Sequence, residues 1–115
     1  GISQSKQCSV EIKFEAMASE SFNLCLEHSC WGKPSGIAST LATRWVHCVP
    51  VDDNRICCFE FDTETLRDAT RRLPLFTGGN GGKSMFKLLP IAEAEKLKTD
   101  KFEIVIDWNE IKPYW

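Results

Sequence analysis

Six cysteines, Cys8, Cys25, Cys30, Cys48, Cys57 and Cys58, all fall in the first half of a chain of 115 residues. A chain this short holds one domain, residues 1–115, and an even cysteine set within it is the pattern of a disulfide framework. Bridges are therefore expected to staple the first half, leaving the second half to apolar packing. Their pairing stays open. Adjacent Cys57 and Cys58 would face opposite sides of a strand, so each should reach a different partner. Stable bridges need an oxidising compartment, which points to a secreted, extracellular protein. The start, "GISQSKQ", has no signal-peptide core and reads as mature or trimmed. In a reducing compartment the same thiols would act as small buried hydrophobes.

The hydrophobic pattern sets the fold class. From Cys8 to Ala16 the residues alternate, with Cys8, Val10, Ile12, Phe14 and Ala16 on one side and Ser9, Glu11, Lys13 and Glu15 on the other. Phe22, Leu24, Leu26 and His28 continue the period, so residues 8 to 30 read as an antiparallel hairpin. "WGKPSG" is a loop, because Gly32, Pro34 and Gly36 break a ladder. Residues 38 to 49 favour a strand, with a short helix through "STLATRW" fitting the same residues. After the turn "PVDDN", "RICCFEF" is a buried strand. "DTETLRDATRRL" then shifts to helical period, with Asp62 as its cap, Leu66, Ala69, Thr70 and Leu73 as its stripe, and Arg71 and Arg72 near its end. "LPLF" and "MFKLL" flank a glycine-rich turn at Asn80-Gly81, Pro90 opens the helix "IAEAEKLKT", and "FEIVIDW" closes the sheet. In that last strand Phe102, Ile104, Ile106 and Trp108 are expected to face inward. The class is α+β: a disulfide-stapled antiparallel sheet packed against two short helices.

Candidate chemistry is sparse. "TGGNGGKS" misses a phosphate-binding loop by one residue, since Thr77 stands where the first glycine belongs, and "MFKLL" after it reads as a strand. The formal charge of -2 gives no pull toward nucleic acid or anionic membrane, and no apolar run is long enough to span a bilayer. In "CLEHSC", Cys25, His28 and Cys30 lack a second ligand pair, so neither a metal nor any cofactor is expected. The two histidines, His28 and His47, each lie near a cysteine on a predicted strand. There a hydrogen-bonded histidine at the edge of the core is the plain reading. Bridged cysteines cannot act as nucleophiles, and the acid pairs Asp52-Asp53 and Glu93-Glu95 read as solvated. No catalytic residue is assigned. Trp45 and Trp108 suit a core. Trp31 in its Gly/Pro loop and the tail "KPYW" suit a surface, where exposed tryptophan marks recognition.

The even cysteine set with its vicinal pair, the short length, and the lack of both a catalytic constellation and an N-x-S/T site together resemble the small secreted cysteine-rich proteins of plant-associated fungi, the effector and killer-toxin-like group. The resemblance implies a disulfide-stapled α+β domain that binds a host or competitor protein. It carries over no individual residue. Three functions are weighed. The first is a secreted interaction protein contacting its partner through Trp31, Arg71, Arg72 and Lys83. The second is a small ribonuclease-like hydrolase using His28 or His47 with Glu60 and Arg44, and the third is an inhibitor or ligand-binding module.

Overall fold

A computed structural model describes residues 9–15, 22–78 and 80–107. Among them lie eight strands in two four-stranded sheets, with two α-helices. The strands are β1 (Val10–Phe14), β2 (Asn23–Cys30), β3 (Lys33–Pro34), β4 (Arg44–Asp52), β5 (Arg55–Asp62), β6 (Leu75–Gly78), β7 (Ser84–Pro90) and β8 (Asp100–Val105). The helices are α1 (Thr63–Thr70) and α2 (Ile91–Leu97), and short 3-10 turns occupy Gly36–Ala38 and Asn80–Gly82. One sheet has the order β1-β4-β5-β8 and the other β3-β2-β7-β6. The expected α+β class holds, but two sheets replace the single one. No helix among the described residues is long and apolar enough to cross a membrane.

The first expected hairpin does not form. β1 runs parallel to β4, pairing Ile12 with Val46, while β2 belongs to the other sheet and pairs with β7. Alternation fixes which residues share a face of a strand, not which strand lies beside it or which face another layer covers. The apolar residues of β1 accordingly lie outward: Val10, Ile12 and Phe14 are at least half exposed, as Phe102 and Ile104 of β8 are in part. They flank Val46, Cys48, Cys58 and Ile56 on the outer face of their sheet. Phe22, expected inside, is also exposed.

The core proper joins both sheets and both helices. Leu24 and Leu26 of β2, Trp45 and Val49 of β4, Phe59 and Phe61 of β5, and Leu89 of β7 pack with Ile37, Leu66 and Ala94. Helix α1 follows its sequence pattern. Asp62 caps it by accepting from the Thr65 N–H at 3.0 Å, and Thr63, Leu66 and Thr70 make its buried stripe. The "LPLF…MFKLL" hairpin is β6 and β7, with Gly78 opposite Ser84, so Lys83-Ser84 enters a strand and no phosphate loop exists there.

The expected disulfide staples are not formed among the described residues, where no two cysteine sulfurs lie at bonding distance. Cys48 and Cys58 oppose each other across β4 and β5, with a hydrogen bond between their thiols, while Cys57 turns to the other face and packs against the core. The two faces expected for Cys57 and Cys58 are thus observed, but ladder hydrogen bonds and apolar packing hold these strands together. Burial pushes the Cys57 and Cys58 thiols up from their ordinary value. Cys8, Trp108, Tyr114 and Trp115 lie outside the described residues.

Candidate functional site

Two places gather the residues that could act on other molecules. The first is a hollow of about 270 Å³ where β1, β2, β4 and β7 meet, lined by Lys13, Phe14, Glu15, Cys25, Glu27, Trp45, His47 and Phe86. Strand alternation places Trp45 and His47 on the same face of β4, and their rings stack 6.3 Å apart. The indole Nε1–H of Trp45 donates to His47 Nδ1 at 3.1 Å, and His47 Nε2 lies 2.7 Å from Glu15 Oε1. An indole can only donate, so Nδ1 is the acceptor and Nε2 carries the proton toward the Glu15 carboxylate. The same Glu15 oxygen accepts the backbone N–H of Cys25 at 2.7 Å. The chain Trp45–His47–Glu15 ties β1, β4 and β2 together, and both ring nitrogens of His47 are engaged. The Cys25 thiol in this hollow is pushed up to about 11, by burial first and then by the charges of Glu15 and Glu27. A thiol so shifted is protonated at neutral pH, the reverse of what a nucleophile needs.

The hydrolase constellation is not assembled. His28 lines a different hollow from His47. Arg44 and Glu60 face each other at 3.8 Å on the opposite side of the β4–β5 ladder from His47. Cys25 and His28 likewise belong to separate hollows, and no group of metal-ligating side chains occurs among the described residues.

The second place is the end of the other sheet. Cys30 pairs with Lys33, so Trp31 and Gly32 form a two-residue hairpin turn, with φ of 55° and 77°. Positive φ at both central residues is the twist-matched hairpin turn, which favours Asn-Gly and strains any residue with a bulky side chain. Here the first position is tryptophan, 67% exposed. Its N–H donates to the Lys83 carbonyl at 3.0 Å, and the Lys83 ammonium stands 5.4 Å from the centre of its ring. Two hairpin tips far apart in sequence are thus clasped at one spot. No family model matches the chain, and no curated protein or solved structure does.

Of the four expected contact residues, Trp31 and Lys83 come together at this tip. Arg71 and Arg72 sit at the end of α1, where Arg71 pairs with Asp68 at 2.8 Å and Arg72 lines a groove of about 420 Å³ between the two helices. Two residues central to the interior were missed in the sequence. Glu15 gave no sign, since with Glu11 it is one of two acids on the polar side of the alternating stretch that forms β1. Lys87 did give one: a lysine inside "MFKLL" at a position that strand alternation places beside core-facing Leu89.

Proposed function

We propose that this chain is a non-enzymatic binding module that takes hold of a partner protein through the Trp31–Lys83 tip. The observation behind this reading is the exposed tryptophan in a left-handed turn position. Folding gains little from a bulky ring there, and asparagine or glycine would fit the backbone better. A large aromatic ring held rigidly in solvent, with a cation against it, has the character of a binding hot spot. The interior groups offer no competing chemistry, because His47 has no nitrogen left to accept a proton and the Cys25 thiol is protonated. The resemblance to secreted effectors gives the partner a setting, a host or competitor protein met outside the cell.

Capture experiments with immobilised wild-type protein, Trp31→Asn and Lys83→Glu test this directly. The reading expects a partner retained by the wild type, lost from Trp31→Asn and weakened with Lys83→Glu, all three being equally folded by circular dichroism. Equal retention by all three proteins would overturn it.

A further inference from the structure

Lys87 is 7% exposed, and no carboxylate lies within ion-pair distance of its ammonium among the described residues. Its Nζ donates to the Thr70 and Leu73 carbonyls, each at 2.8 Å, at the C-terminal end of α1. An ammonium has three N–H donors, so these bonds leave one unused. Burying a cation without a counter-charge is costly unless something completes its shell. The surroundings supply no such counter-charge. Lys87 lines a hollow of about 290 Å³ with His28, Ala38, Arg67, Thr70 and Arg71, and no acidic side chain is among them. Arg67 is ion-paired with Glu64 and Arg71 with the exposed Asp68, so Lys87 is the cation of this hollow that has no carboxylate partner among the described residues.

The walls are built to hold their shape. The register of β2 against β7 shifts between Glu27 and Ser29, which makes His28 the bulged residue and re-aims its side chain. The Ser35 N–H donates to the His28 carbonyl at 3.0 Å, and the next residue, Gly36, has φ of 51°. A Cβ at Gly36 would stand 2.2 Å from the Glu27 carbonyl oxygen, so only glycine lets the 3-10 turn close against the bulge. Arg67 braces the other side, donating from Nε to the Ile37 carbonyl at 2.9 Å and from Nη2 to the Thr40 carbonyl at 2.7 Å. Arg71 is the movable member. Its partner Asp68 is as exposed as Arg71 itself, and an exposed pair of this kind adds little stability, so the guanidinium can turn inward at small loss.

We propose that this hollow is a receptor for a phosphate group, either inorganic phosphate or a small phosphomonoester. The third N–H of Lys87 and the guanidinium of Arg71 would contact its oxygens, with Arg67 and His28 as flanking walls. A tetrahedral dianion presents oxygens to donors on several sides at once, which suits cations arriving from a strand and a helix better than a planar carboxylate does. The volume leaves room for a small group beyond the phosphate itself. The site is separate from the Trp31–Lys83 tip and does not rest on it.

The test is an NMR titration of backbone amides in chloride buffer at fixed ionic strength, with inorganic phosphate, phenyl phosphate and acetate, on wild type, Arg71→Ala and Lys87→Met. Saturable shifts centred on His28, Ala38, Thr70 and Arg71 are expected with both phosphates and not with acetate. Arg71→Ala should bind about tenfold more weakly. Tighter binding of phenyl phosphate would identify a phosphomonoester as the ligand, and equal binding would identify the free ion. If Lys87→Met does not fold, Arg71→Ala decides alone, because its side chain is at the surface. Shifts that stay linear and scattered over the molecule would overturn the proposal, and so would an unchanged titration of Arg71→Ala.

Discussion

The Trp45–His47–Glu15 chain and the Trp31–Lys83 tip both set an aromatic ring beside a polar group, but with opposite economies. Inside, the Trp45 indole and both ring nitrogens of His47 are engaged, and the contacts of Glu15 with His47 and with the Cys25 N–H tie three strands of two sheets to one another. At the tip the ring stays in water on a strained backbone, with the Lys83 ammonium beside it. Residues with the look of chemistry, histidine, carboxylate and thiol, therefore belong to the scaffold. The residue with the look of a packing unit, Trp31, is the one left in solvent, where the proposed binding role would use it.

This contrast can be broken at several points. Replacing His47 with Ala should be the most damaging change, since it leaves the nearly buried Glu15 carboxylate with only the Cys25 N–H as a partner and the buried Trp45 indole N–H with none. Roughly 3 kcal/mol should be lost in urea unfolding, and a loss below 1 kcal/mol would mean the chain is not a structural tie. Cys25 sharpens the same side chemically. With its thiol near 11 rather than 9.0, it should hold roughly a hundredfold less thiolate at neutral pH than an ordinary cysteine, so alkylation should be slow until the protein unfolds. Gly36→Ala should destabilise by about 2 kcal/mol, by forcing a side chain into a left-handed position against the Glu27 carbonyl. A smaller loss, about 1 kcal/mol, is expected for Asp62→Ala, which removes the cap of α1. The Thr65 N–H holds the Asp62 carboxyl below its ordinary 3.8. The cap's contribution is thus present above that value and fades as pH falls through the lower folded value. Wild type and Asp62→Ala should converge in acid, and a gap that persists there would show the loss has another cause.

What the sequence could disclose was local. The cap at Asp62, the stripe through Leu66, the two faces of Cys57 and Cys58 and the "LPLF…MFKLL" hairpin all follow from the period and the ends of single elements, and each is present. The partner of β1 is a different matter. Its alternation fits either sheet, and its parallel seat beside β4 depends on which strand edge the rest of the fold leaves open. The His47–Glu15 contact follows from that seat, 32 residues apart in sequence, so no local pattern could announce it. The cysteines misled for a related reason. Their even number suggested staples, while Cys48 and Cys58 came to face each other as hydrogen-bonded thiols on the outer face of a sheet already held by its ladder. At the tip, Trp31 could be seen as a surface residue, but Lys83 becomes its companion only once two hairpins end side by side.

The central claim is that Trp31 stands where it does for contact and not for folding. Equilibrium urea unfolding of Trp31→Asn tests it most directly, because asparagine accepts the turn's positive φ and keeps the N–H that bonds to the Lys83 carbonyl. The account predicts a stability equal to or above that of the wild type, the relieved strain offsetting the lost contact with the Lys83 ammonium. A loss of more than about 1 kcal/mol would contradict it, by showing that the exposed ring holds the fold together after all.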